Sequence, residues 1–227
     1  MTDDRKEFLL HAYDQMFNDI NTHILVVWQS IAVVVGAFAL FGLVEKQIIS
    51  IDLATALIVL LCAWMIAHLY DASYWYNRNL VIIANIERQF LDASDLRNIH
   101  YYFGKHRKQS SMLTHLRIQW HLAFWLAALL VCFHFSVRVF PGIGQPMKNF
   151  EPQRSLPYAV VLLSIYVLTK LRKNRLDSYA EFLENSPGVP IETAGIRYGV
   201  GHPTETKAVP AAKSDSSSTS QPPTAPG

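Results

Sequence analysis

The chain has 227 residues, 51% of them hydrophobic and 17% charged, with a net charge of +2. Soluble domains carry about 25% charged residues, and here the apolar residues gather into blocks with the charges between them, which argues against a soluble globular domain and for a chain built to sit in lipid. The net charge says little by itself, the basic run at 105–108 is too short and too close to a span for a nucleic-acid surface to be expected, and the two cysteines, Cys62 and Cys132, lie deep within apolar runs where a disulfide framework has no purpose.

Residues 1–23 place Leu9, Ala12, Met16 and Ile20 at helical spacing, with Asp14, Asn18 and Asn21 elsewhere, which predicts an amphipathic helix running straight into the first span. Its acidic residues (Asp3, Asp4, Glu7, Asp14, Asp19) stand where a signal peptide would be basic, so no cleaved leader is expected. Residues 24–44 carry no charge and match the roughly 20 residues needed to cross a hydrocarbon core. A short connection, with Asp52 as the expected N-cap, leads to a second span over 53–70, so that 24–70 forms an antiparallel hairpin. The helix is expected to run on: Trp75, Ile82, Ile86 and Phe90 recur at helical spacing, with Asn77, Arg78, Asn85 and Arg88 on another side.

Ser94 would cap a short helix ending at Gly104, before a basic cluster, and residues 71–117 together make a cytoplasmic stalk and basic loop. A third span is predicted over 118–140, with Arg138 near enough to its end to snorkel and Pro141–Gly142 as its stop. A fourth starts at Pro157 and stays apolar to Leu171, completing a second hairpin over 118–171. Residues 172–186 keep a helical rhythm, and from 187 to 227 the composition turns to Pro, Ser, Thr and Ala, the signature of a disordered tail. The expected fold class is all-α, a polytopic membrane protein with four transmembrane helices in two hairpins and cytoplasmic helical extensions.

Arg5 and Lys6, then Arg78, Arg88, Arg97, Lys105, Arg107, Lys108 and Arg117, then Lys170, Arg172, Lys173 and Arg175 all fall on one side of these spans. Only Lys46, Arg138, Lys148 and Arg154 fall on the other, so the first side is expected in the cytoplasm of a cell whose inner membrane the chain crosses, with both termini inside.

Several residues invite a functional reading beside a structural one. His68 and Asp71, three apart on one helix face, would make an ion or proton relay, or an interfacial pair bound to a neighbouring helix. His134, between phenylalanines in the third span, is either part of a pathway or an interhelical hydrogen bond, with Gln29, Ser30, Ser164 and Thr169 as the partners to consider. Tyr74, Trp75 and Tyr76 suit an interfacial belt, while Trp75, Asn77, Arg78, Glu87 and Arg88 offer contacts between stalks of an oligomer. Lys105, Arg107 and Lys108 suit anionic lipid headgroups. Spacings for a metal site, a nucleotide loop or a hydrolase nucleophile are missing from the sequence, so neither an enzyme nor a cofactor is expected.

The amphipathic N-terminal helix, the close hairpin and the exit helix with WYNRN (75–79) and IERQFL (86–91) resemble, over residues 7–91, the SLATT-type small membrane proteins of prokaryotic conflict systems and the RipA-like oligomeric bacterial membrane proteins. That resemblance implies a homo-oligomer in the inner membrane and, for SLATT-type proteins, pore formation when a sensor partner signals. The function expected on this ground is a pore-forming or membrane-perturbing effector gated from the cytoplasm. The alternative is a membrane anchor or scaffold for a cytoplasmic protein partner.

Overall fold

A computed structural model of the protein describes residues 2–91, 95, 112–144 and 151–186, and those residues are helical apart from short connections. The basic residues Lys105, Arg107 and Lys108, the helix expected after Ser94 and the tail from 187 lie outside the described residues. Helix α1 (Asp3–Gly36) runs through a 3₁₀ turn (Ala37–Ala39) into α2 (Leu40–Glu45), and α3 spans Ile51–Phe90. Helix α4 (Thr114–His134) ends in a π turn (Phe135–Val139) and a 3₁₀ turn (Phe140–Gly142); a further 3₁₀ turn (Pro152–Ser155) opens α5 (Leu156–Asn185).

Four of these helical stretches are long and apolar enough to cross a membrane: Asp3–Glu45, Ile51–Phe90, Thr114–Gly142 and Pro152–Asn185. At 1.5 Å per residue α3, with 40 residues, is about 60 Å long, twice the roughly 30 Å of a hydrocarbon core. Helix α1 likewise begins far ahead of its apolar run. Residues 3–23, 71–90 and 172–185 are thus helical extensions of the spans, and all three stand at the same end of the bundle.

Helix α3 is the axis of the fold. Helices α1, α4 and α5 each pack on it and make at most marginal contact with one another. Sequence accounts for this asymmetry. On α1 the buried residues Ile20, Val27, Ser30 and Val34 follow a single stripe, as do Leu116, Gln119, Ala123, Leu130 and His134 on α4. On α3, neighbours such as Ile58 and Val59, Met65 and Ile66, and Leu80 and Val81 are buried together. Successive helical residues point about 100° apart, so their joint burial requires partners on more than one side. The core joins Val27 and Val34 to Ile58, Cys62, Met65 and Leu69, and these to Leu116, Ala123 and Leu130.

The opposite faces are apolar as well. Ile118, Leu122, Trp125, Leu129 and Phe133 line the outside of α4, and Leu162, Leu163, Ile165 and Tyr166 that of α5. Helices apolar all round suit lipid. Apolar burial no longer drives association there, so close packing and interhelical hydrogen bonds must hold the helices together.

Candidate functional site

The most developed polar cluster lies at the hairpin end, opposite the helical extensions. Ser50 caps α3, its Oγ accepting the Leu53 N–H at 3.2 Å. Asp52, expected from sequence as the cap, is therefore free to turn inward, and it is 1% exposed. One carboxylate in the first turn also faces the positive end of the helix dipole.

Two residues of the third span, one turn apart, grip that carboxylate. His134, with no exposed surface, places Nε2 2.8 Å from Asp52 Oδ1. Arg138, carried on the π turn, donates from Nε to Oδ1 and from Nη2 to Oδ2, both at 3.1 Å. Such turns recur where a helix must re-aim a side chain. The expectation that Arg138 snorkels to headgroups is corrected here: a buried carboxylate within reach offers two charge-assisted bonds. His134 Nδ1 stands 3.0 Å from the Tyr158 hydroxyl at the start of α5. A carboxylate can only accept, so Nε2–H is the donor toward Asp52, while Nδ1 faces a hydroxyl that can donate or accept.

The chain of bonds continues outward. Arg138 Nη2 donates to Glu151 Oε2 at 2.9 Å, and Arg154 holds both Glu151 oxygens, at 3.1 and 2.8 Å. Hydrogen bonding from Arg154, with help from Arg138, keeps the Glu151 carboxyl below the usual glutamate range. Arg154 Nη1 also donates to the Arg138 carbonyl at 3.1 Å, passing close over Gly142, where a Cβ would meet it at 3.2 Å. Two carboxylates and two guanidiniums alternate from buried to exposed, and His134 and Tyr158 close the buried end. Chemically this is a lock joining α3, α4 and α5.

None of the partners considered for His134 from sequence meets it. Ser30 Oγ donates to its own helix at Val26 O, 2.9 Å, and Thr169 Oγ1 to Ile165 O, 2.7 Å. Gln29 is exposed on the outside of α1, and Ser164 is half-buried on α5. The missed residues are Asp52, Arg138, Tyr158, Glu151 and Arg154. A signal was present: His134 and Arg138 are four apart on one face, and Arg138 is the single charge within the third span.

At the other end, His68 and Asp71 do not pair. His68 lies edge-on to Trp64, with ring centroids 4.6 Å apart, and Asp71 forms an ion pair with Arg175 of α5. Three helical extensions meet beyond this point. Asn79 Nδ2 donates to Asp19 Oδ2 at 2.7 Å, and Ile20 packs on Leu80 and Ile83, tying α1 to α3. Trp75 stacks on His23, and the Arg78 guanidinium lies over Trp75 at 5.0 Å and over Phe182 of α5 at 5.5 Å. Tyr13 donates to Glu87 Oε1 at 3.4 Å, and Arg88 Nη1 to Asn85 Oδ1 at 3.5 Å. Asn77 is buried on α3. The residues expected between stalks are thus placed in contacts within the chain, because α1 and α5 return to the same end as the α3 extension.

Burial raises the Glu87 carboxyl, the Tyr13 hydrogen bond only partly offsetting it, and it raises the Tyr13 hydroxyl too. Among the described residues no three His, Cys, Asp or Glu side chains converge as metal ligands would. Comparison with protein families, with characterised proteins and with solved structures finds no match.

Proposed function

We propose that this chain is the subunit of a homo-oligomeric inner-membrane scaffold, its spans serving as anchor and its three-helix extension presented in the cytoplasm to a protein partner. The observation that carries this reading is how the polar groups of the spans are used. His134, Arg138 and Asp52 are spent on joining helices, and Ser30 and Thr169 on their own backbones. Side chains so committed do not line a route for ions. Self-association is supported by Gln29, an exposed amide a little over one turn inside the first apolar run. In lipid such a group gains from a partner on another helix.

The second reading is the pore-forming effector. It is favoured by the broad apolar faces of α4 and α5, which subunits packed in a ring would cover. One experiment separates the two: the mass of the full chain in nanodiscs, then ion flux after reconstitution of the same sample into liposomes. The scaffold reading expects a defined oligomer in ion-tight vesicles. Sustained conductance would replace it with the pore, and a monomer would remove self-association from both.

Orientation has its own test. Lys46→Cys, in the exposed α2–α3 connection and in a Cys132→Ala background, should react with a membrane-impermeant maleimide from outside intact spheroplasts. Protection of that cysteine would reverse the topology.

A further inference from the structure

Where the spans give way to the extensions, α3, α4 and α5 enclose a cleft of about 360 Å³. One face of α3 forms its floor through Tyr70, Ser73, Tyr74 and Asn77, and the walls carry Arg117 of α4 with Arg172 and Arg175 of α5. The Trp120 indole N–H donates to the Tyr70 hydroxyl at 3.1 Å, closing the membrane side of the floor. Arg175 pairs with Asp71 and lies over the Tyr74 ring at 5.1 Å. Arg117 donates to the Met112 carbonyl, and among the described residues neither it nor Arg172 has an ion-pair partner. Among the described residues three guanidiniums therefore line the cleft against one carboxylate.

We infer that this cleft binds the phosphate group of an anionic phospholipid. Guanidinium groups match phosphate oxygens with paired donors, and an arginine cluster that outnumbers its carboxylates suits that chemistry. The volume is at the low end of the roughly 300–1,000 Å³ found for small-ligand sites, enough for a phosphoglycerol headgroup. Position argues for lipid as the source. The cleft lies at the level where charges first appear after the apolar runs, and basic pockets between spans at that level suit acidic headgroups. Helices α4 and α5 make at most marginal contact with each other, so the cleft opens sideways. Ile118 and Leu122, next in sequence to the cleft residues Arg117 and His121 of α4, are exposed and apolar, as a surface for acyl chains would be.

The test uses the full chain in neutral detergent, with native mass spectrometry and thermal unfolding after addition of phosphatidylglycerol, phosphatidylcholine or inorganic phosphate. Phosphatidylglycerol should be retained and raise the Tm by several degrees, with little effect from phosphatidylcholine. The double variant Arg117→Gln, Arg172→Gln should bind phosphatidylglycerol at least tenfold more weakly. Arg172→Gln alone, at an exposed position, should keep the lipid-free Tm and lose several-fold in affinity. Equal protection by phosphatidylcholine, or unchanged affinity in Arg172→Gln, would overturn the proposal. Full protection by inorganic phosphate would reassign the cleft to a soluble anion and remove the lipid.

Discussion

At the hairpin end Asp52 and His134 are shut away from solvent and hold Arg138 and Tyr158, whereas at the extension end Asp19, Asp71 and Glu87, each partly exposed, meet respectively the buried Asn79 and the partly exposed Arg175 and Tyr13. The residue types are similar and the consequences differ. A buried ion pair is expensive to break because the remaining charge has nowhere to go, while an exposed one is answered by water. Asp52→Ala should therefore have the largest effect, stranding His134 and Arg138 at a loss of about 3–5 kcal/mol. Unfolding of the detergent-solubilised chain would measure it, and a loss near zero would mean that water reaches the network.

The matching change at the other end is Asn79→Ala, which removes the bond to Asp19. It should cost about 1 kcal/mol and act locally. Hydrogen exchange should quicken in the first half of α1 while the α3–α4 interface keeps its protection. Uniform quickening throughout would mean that extension and spans unfold as one unit and would erase the contrast between the ends.

Acidity should separate the two regions by sign. Glu151 is held below the ordinary glutamate range by Arg154, so its contribution is present above that range, about pH 4, and is lost as the pH falls through the lowered value. Glu87 is raised by burial, so its contribution is full below that range and is lost as the pH rises through the raised value. Acidification should thus loosen the bonds of Glu151 to Arg154 and Arg138 while relieving the burial cost of the Glu87 carboxylate and so stabilising the packing around it. Hydrogen exchange at about pH 4 and about pH 7, with rates corrected for intrinsic chemistry, would report both ends in one sample, and Glu87→Gln should abolish the dependence at the extension alone.

The parts of this contrast legible in sequence are those that repeat along one helix. The apolar blocks mark four helices long enough to span, and the periodicity from Trp75 to Phe90 shows that α3 continues past its span. What joins distant segments was not legible. Asp52 resembles a cap because Asp before an apolar run usually is one, and only the position of Ser50 frees it. Arg138 resembles a snorkelling residue because its acceptor is 86 residues away in the chain. Asp71 and Arg175 are separated by an entire hairpin, and their meeting depends on α5 packing along α3. Charge partners across helices are a property of topology: a single-helix pattern such as the His134 and Arg138 spacing can mark residues in need of a partner but not which residue that is.

The connection at Gln47 belongs to the hairpin end but lies outside its network, and it sets the smallest expected effect. Helix α2 closes with the Ile48 N–H donating to Leu43 O and the Gln47 N–H to Val44 O, both at 2.9 Å. That pairing needs a left-handed residue between helix and turn, and Gln47 supplies it with φ 58°. Glycine has no Cβ to meet the following carbonyl there. Gln47→Gly should therefore stabilise the hairpin, by about 0.5 kcal/mol once the greater freedom of glycine in the unfolded chain is offset. The gain should be the same with and without Asp52→Ala, because the turn and the network share no partner. If the two changes couple, the turn is what positions Asp52, and the lock begins one helix earlier than its hydrogen bonds indicate.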